Sequence, residues 1–286
     1  MTTLSRREVQ INGVSLFLHE QGMGMPLIFV HGSVADHTTF AGQVKRFSHT
    51  HRAIAYSRRF HPPNTPPMPG ECYDMLQQAD DLNAILDSLG TEEAVVIGSS
   101  FGGCVALMAA LRSRGGLRGL VLCEPPMLPL LLHHPEGTPL YENFSSSVTV
   151  PAREAFLRGC DEDALRVFID GVRGQSGSFE RMLPATKEEL RGFASELRAE
   201  FLTEDLLYMP AISPKDLRSV ATPTLLMGGA LSTPLFGAIL DVLNTNLPNS
   251  TRVLIPKAGH MVHLQNADEF ERSVRKFLQE LDGHCT

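Results

Sequence analysis

The chain has no tryptophan and only five cysteines in 286 residues. It also lacks most features that would mark a membrane, nucleic-acid or secreted protein. No stretch reaches the roughly 18 consecutive apolar residues that a membrane span needs. The opening MTTLSRREVQ has no apolar core of the kind a secretory signal carries. A cytoplasmic protein with no membrane partner is therefore expected. Basic residues are outnumbered, 25 Lys and Arg against 32 Asp and Glu, for a formal net charge of −7. No basic cluster is larger than Arg58-Arg59 or the scattered arginines between 112 and 118. This excludes nucleic acid as a partner and disfavours a polyanionic substrate. The cysteines (Cys72, Cys104, Cys123, Cys160, Cys285) are odd in number and have no spacing that suits zinc, so reduced thiols and no metal are expected. His133-His134 has no third ligand at useful spacing.

What the chain does have is a strand, a sharp turn and a buried helix in one run, AVVIGSSFGGCVALMAA, from Ala94 to Ala110. The β-branched residues Val95, Val96 and Ile97 stop at a Gly/Ser cluster, and a helix of small residues starts at once. Gly98, Ser100 and Gly102 spell G-x-S-x-G, in which a serine sits on a strained turn with its hydroxyl exposed. Two serines compete for that position. With Ser100 at the apex, the residues two before, two after and three after are Gly98, Gly102 and Gly103, none with a Cβ. With Ser99 they would be Ile97, Phe101 and Gly102, which would jam the turn. Ser100 is therefore the candidate nucleophile.

Around this run the chain alternates strands and helices. Two antiparallel edge strands flank Asn12-Gly13, a strong hairpin signal. PLIFV at 26–30 has the continuous apolar character of a strand buried on both faces, and ends in His31-Gly32-Ser33. A helix over 39–47, a strand over 52–56, a loop rich in proline and a helix over 73–89 follow. After the Ser100 run comes a strand over 117–123 that ends in Glu124-Pro125-Pro126. From 127 to 219 the pattern changes to short helical pieces (152–158, 161–172 and 186–201, the last opened by a Thr186-x-x-Glu189 capping box). Alternation resumes with a strand over 223–227, a helix over 234–243, a strand over 252–255, a loop over 258–263 and a helix over 268–281. The expected organisation is an α/β core of 1–126 and 220–286, with a helical insertion at 127–219 that would cap the site. The eight strands form a mostly parallel sheet with helices on both faces. His31-Gly32-Ser33, Ser100, Glu124 and His260 each fall just past a strand end, where ligands gather in such sheets.

The motifs PLIFVHGS at 26–33, VVIGSSFGG at 95–103 and AGHMVHLQNADEF at 258–270 resemble the α/β-hydrolase fold superfamily in order and spacing over nearly the whole chain. Epoxide hydrolases and haloalkane dehalogenases of that superfamily carry Asp where this chain has Ser100, so those activities are disfavoured. The resemblance implies Ser100 as nucleophile and His260 as its base. It also implies backbone N–H groups of Phe101 and Ser33, with Val34 as an alternative to Ser33, as the oxyanion hole. The acid departs from the usual pattern. After the 223–227 strand the chain reads GGALSTPLF, with Ser232 where an Asp is common. Glu124, at the end of the sixth strand, is assigned instead, the alternative being a Ser100–His260 dyad or assistance from Ser232. His31 is a brace for its turn or a substrate contact, Val34 is also assigned as a substrate contact, and Arg58 or Arg59 could meet a substrate carboxylate or carbonyl. His263 is read as a loop support.

The function expected is a cofactor-free serine hydrolase acting on small, neutral or moderately apolar carboxylic esters through an acyl-enzyme. Two alternatives stay open: carbon–carbon bond hydrolysis or a non-hydrolytic rearrangement with the same residues, and a non-catalytic small-ligand receptor. The oligomeric state is left open, a homodimer included.

Overall fold

The computed structural model describes residues 5–68, 70–90, 93–113, 117–204 and 208–283. Cys285 lies outside the described residues. Eight strands form one sheet: β1 (Ser5–Ile11), β2 (Val14–Gln21), β3 (Pro26–Val30), β4 (Arg52–Tyr56), β5 (Val95–Ser99), β6 (Gly119–Cys123), β7 (Thr224–Gly229) and β8 (Ser250–Ile255). Their spatial order is β1-β2-β4-β3-β5-β6-β7-β8. The hairpin β1–β2 turns at Asn12-Gly13, and β2 pairs antiparallel with β4. From β4 through β8 every pairing is parallel.

The central strands are apolar on both sides because both faces are covered. Alternate residues go to opposite cores. Ile28, Val30, Val96, Leu120, Leu122 and Leu226 join one hydrophobic cluster. Leu27, Phe29, Val95, Ile97, Val121, Cys123, Leu225 and Met227 join the other. Helix α1 (Ala41–Phe47) contributes to the second core, while α2 (Met75–Ser88) and α3 (Phe101–Arg112) fill the first. Cys104 and Cys123 are buried free thiols, and Cys72 and Cys160 are exposed ones. Among the described residues no helix is long and apolar enough to cross a membrane.

Between β6 and β7 the chain is helical, with a third hydrophobic cluster of its own built on Phe156, Leu165, Phe168, Phe179, Leu197 and Phe201. One expectation is corrected here. The single helix over 186–201 is two, Pro184–Arg191 and Ala194–Leu202. The first begins earlier because Pro184 occupies its first turn, so Thr186 lies inside the helix and caps nothing. A reciprocal capping box does exist further on, between Ser213 and Asp216, at the head of the short helix Pro214–Arg218. A helix over Gly137–Phe144 is additional to those expected; its Gly and Pro near the start obscure the periodicity.

The β5–α3 junction is a tight backbone contact. A Cβ on Gly98 would stand 2.4 Å from the carbonyl oxygen of Gly102, and one on Gly102 would stand 2.2 Å from that of Val30 and 2.4 Å from that of His31. These are backbone atoms of buried residues at the end of β3 and the start of α3 and cannot step aside. Gly102→Ala should therefore cost more than about 3 kcal/mol or prevent folding. Gly42→Ala, in α1 with nothing within 4 Å of the new Cβ, should be neutral or stabilising by up to about 1 kcal/mol. Denaturant unfolding of both variants checks this, and equal stabilities would contradict it.

Candidate active site

Ser100 follows the last residue of β5 and precedes the first of α3, with φ 53° and ψ −128°. Its N–H donates to the carbonyl of Cys123 at 2.8 Å, and its carbonyl accepts from the N–H of Gly103 at 2.8 Å. The strained turn is thus held from both sides. Ser99, the rival serine, ends β5 with a buried side chain. Of the six non-glycine residues at positive φ among those described, Val34, Ser100 and Glu124 are site candidates.

Glu124, just past β6, has φ 44°, and its N–H is tied to the carbonyl of Met227 on β7. Its carboxylate is buried and accepts three hydrogen bonds. Oε1 takes the Gly229 N–H at 2.7 Å, and Oε2 takes the Ser232 hydroxyl at 2.8 Å and His260 Nδ1 at 2.8 Å. Ser232, where a carboxylate is common, therefore supports the one that replaces it. Gly229 has to be a glycine, since a Cβ there would lie 2.3 Å from the carbonyl oxygen of Gly259. That close approach brings the loop after β8, with His260, against the end of β7. Donating Nδ1–H to Glu124 leaves Nε2 as the basic nitrogen of the ring. The ring is further fixed by stacking on Phe236, with centroids 4.3 Å apart.

Ser100 and His260 line one cavity of about 370 Å³, together with Ser33 and Val34. Its far wall comes from the helices between β6 and β7, including Phe168, Leu190 and Phe193. The N–H of Phe101 starts α3 and so has no partner within the helix. Ser33 and Val34 lie on the loop after β3 that borders the same space. No group of three or more His, Cys, Asp or Glu able to hold a metal occurs among the described residues.

Two assigned substrate contacts are corrected. Arg58 does not face the cavity: it is completely buried, and its guanidinium donates to the carbonyls of His31 and Gly32, to Tyr73 Oη and to Gln78 Oε1. It also lies 4.9 Å over the Phe101 ring. With those groups engaged, it cannot reach a substrate. Arg59 is likewise taken, in a buried two-point pair with Asp81. His31 is also fully buried, with Nδ1–H donating to the Gly32 carbonyl and Nε2 accepting from the Arg58 N–H. Burial, then the charge of Arg58, holds its ring well below its ordinary pKa. His61 completes the arrangement, donating to the Ala35 carbonyl and accepting from Tyr73 Oη. Polar residues that resemble a substrate-facing turn in the sequence instead clamp the loop carrying Ser33 and Val34 from behind.

Glu200 is the site residue that went unrecognised. It is buried, and its Oε1 accepts from the Ser33 hydroxyl at 2.8 Å and from Tyr208 Oη at 3.1 Å. A signal for it existed. Leu197, Glu200 and Phe201 share one buried face of the helix Ala194–Leu202, and a carboxylate inside an apolar stripe needs a reason.

With the fold and this geometry in place, comparison with known proteins decides the family. The family model for the alpha/beta hydrolase fold matches residues 25–267. The chain belongs to the alpha/beta hydrolase fold family. The hydrolase is 32% identical to a 2-hydroxymuconate semialdehyde hydrolase of Pseudomonas sp. (strain CF600) and 28% identical to one of Pseudomonas putida, each match covering 97% of this chain and 95% of the relative. A thermophilic esterase from Thermogutta terrifontis has the same fold, with a TM-score of 0.71 at 24% identity, over 97% of this chain and 99% of that one.

The hydrolase also buries His263, between Phe40, whose ring is 4.4 Å away, and Phe270. Neither ring nitrogen has a partner, while its carbonyl accepts from Gln43. It supports the loop that carries His260. Burial, with the nearby charge of His260, pushes it down from 6.5 to about 3. A folded pKa below the unfolded one means the stabilising neutral form is complete above pH 6.5 and is lost as pH falls. By about pH 5 the loss is about 2 kcal/mol. His263→Phe should remove that sensitivity. Urea unfolding at about pH 7.5 and about pH 5 should show a smaller acid loss in the variant, and an equal loss would contradict the assignment.

Proposed function

We propose that the chain is a cofactor-free serine hydrolase of small carboxylic esters, with Ser100, His260 and Glu124 as its triad. The observation that carries this reading is the buried Glu124–His260 hydrogen bond at 2.8 Å, on the wall of the cavity that Ser100 also lines. Ser100 Oγ attacks the ester carbonyl carbon as His260 Nε2 takes its proton. The N–H groups of Phe101 and of Ser33 or Val34 stabilise the oxyanion. Collapse breaks the bond to the leaving oxygen, which receives the proton from His260. Water then attacks the acyl carbon, gives its proton to His260 and releases the acid as Ser100 recovers its hydrogen. Glu124 holds the Nδ1–H tautomer and stabilises the imidazolium. The helices between β6 and β7 act as a cap over the cavity, and its apolar lining suits a neutral, moderately apolar molecule.

A second reading is hydrolysis of a carbon–carbon bond by the same residues. It is favoured by the full-length similarity to the two 2-hydroxymuconate semialdehyde hydrolases. The two readings differ in the bond cleaved and share the need for Ser100, His260 and Glu124.

Aryl ester turnover tests the leading reading. Ser100→Ala should lose roughly 10³-fold or more in kcat, and Glu124→Gln a comparable factor with the fold intact. Wild-type rates in Ser100→Ala would overturn the nucleophile assignment. Near-wild-type rates in Glu124→Gln would overturn the acid.

A further inference from the structure

Beside the main cavity lies a second, much smaller chamber of about 30 Å³, lined by Ser33, Ser100, Glu200, Phe201, Tyr208 and Phe236 among others. It reaches Ser100 but not His260, whereas the larger cavity reaches both. In acyl transfer the leaving group departs on the side of the base that protonates it. The larger cavity therefore takes the leaving group and the chamber takes the acyl chain. This assignment rests on the acyl-transfer reading of Ser100 and His260.

The chamber is mostly apolar, and besides the hydroxyl-bearing Ser33, Ser100, Thr149 and Tyr208 its lining holds one carboxyl group, that of Glu200. Glu200 is 1% exposed. Its Oε1 is engaged by Ser33 and Tyr208, but its Oε2 is buried and meets no hydrogen-bonding partner. A buried carboxyl oxygen left without a partner is costly unless something supplies one. We propose that Glu200 is a specificity-determining residue that selects short acyl chains carrying an ether or oxo oxygen, to which its Oε2–H donates. At about 30 Å³ the chamber has room for only a few heavy atoms, given that a single water needs roughly 10–15 Å³.

The surroundings favour the protonated donor. Burial raises Glu200 from 4.5 to about 7, against the opposing charge of Arg58 and the hydrogen bonds from Ser33 and Tyr208. The other titratable groups coupled to it, Tyr73, Tyr208 and Cys104, are all shifted upward and so neutral. Charged groups on the adjoining segments are engaged elsewhere. Arg153 donates to the carbonyls of Phe201 and Thr203, Asp161 pairs with Arg198, and Asp170 accepts from the N–H groups of Gly177 and Phe179. Among the described residues that line the chamber none is Lys, Arg or His, and a mostly apolar wall facing a neutral acid suits an uncharged acceptor oxygen.

Para-nitrophenyl methoxyacetate and butyrate differ by one oxygen in place of a methylene. The readout is the ratio of their kcat/KM values within each protein, so that general losses and the intrinsic reactivity of each ester cancel between proteins. Relative to wild type below pH 7, Glu200→Leu should lower the methoxyacetate preference by roughly tenfold. Glu200→Gln, whose amide also donates, should largely retain it. In wild type the preference should fall as pH rises through about 7, while in Glu200→Gln it should stay flat. An unchanged ratio in a folded Glu200→Leu protein, or a flat wild-type profile, overturns the proposal. Absence of Ser100-dependent turnover of both esters would instead overturn the ester reading on which it rests.

Discussion

Everything at the candidate site hangs on the carboxylate of Glu124. It is buried at the end of β6 and would be an uncompensated charge without its three donors. Those donors come from two segments distant from it in sequence: Gly229 ending β7 with Ser232 in the following turn, and His260 beyond β8. Satisfying one buried group therefore fixes the ends of β6 and β7 and the loop after β8 against one another. His260 is held by the same contact and by Phe236, and Gly229 allows the close approach. The positive φ of Glu124 is maintained by this over-determined surrounding.

A second buried arrangement supports the opposite side. Arg58, His31, Tyr73, Gln78 and His61 form a hydrogen-bonded cluster behind the loop of Gly32 to Ala35. None of these side chains lines the main cavity. Together they hold the backbone of residues 32–35 in place, which is what a preorganised pair of backbone donors needs. The histidines here are kept neutral by burial, so their hydrogen-bond directions are defined. Glu200 joins this side through Ser33, linking the helix Ala194–Leu202 to the same loop.

The β-strands and the Ser100 turn were legible because their signals are local. PLIFV and VVIGSSFGG carry strand, turn and steric requirement within a few residues, and the resemblance added order and spacing. The position of Glu124 was legible for a similar reason, as a carboxylate directly after a buried strand. Arg58 was misread because what buries it is remote: Tyr73 and Gln78 lie on a later segment, and only packing converts a polar turn into an internal clamp; of the two readings of His31, the brace for its turn is the one its hydrogen bonds support. The helix over 186–201 was misread because its amphipathic pattern runs across Gly192 without a break, while the backbone divides between Arg191 and Ala194. Glu200 was hidden in that merged helix, and its partners Ser33 and Tyr208 are joined to it only by the tertiary fold.

The central claim is that Ser100 becomes covalently acylated, with His260 and Glu124 to drive it. An aryl carbamate that leaves a slowly released carbamoyl group tests it most directly, with mass spectrometry of the digested protein as the readout. The account predicts one carbamoyl adduct, on the peptide containing Ser100, released together with recovery of esterase activity. Inactivation with no adduct on that peptide, or ester turnover undiminished while Ser100 is fully carbamoylated, would contradict it.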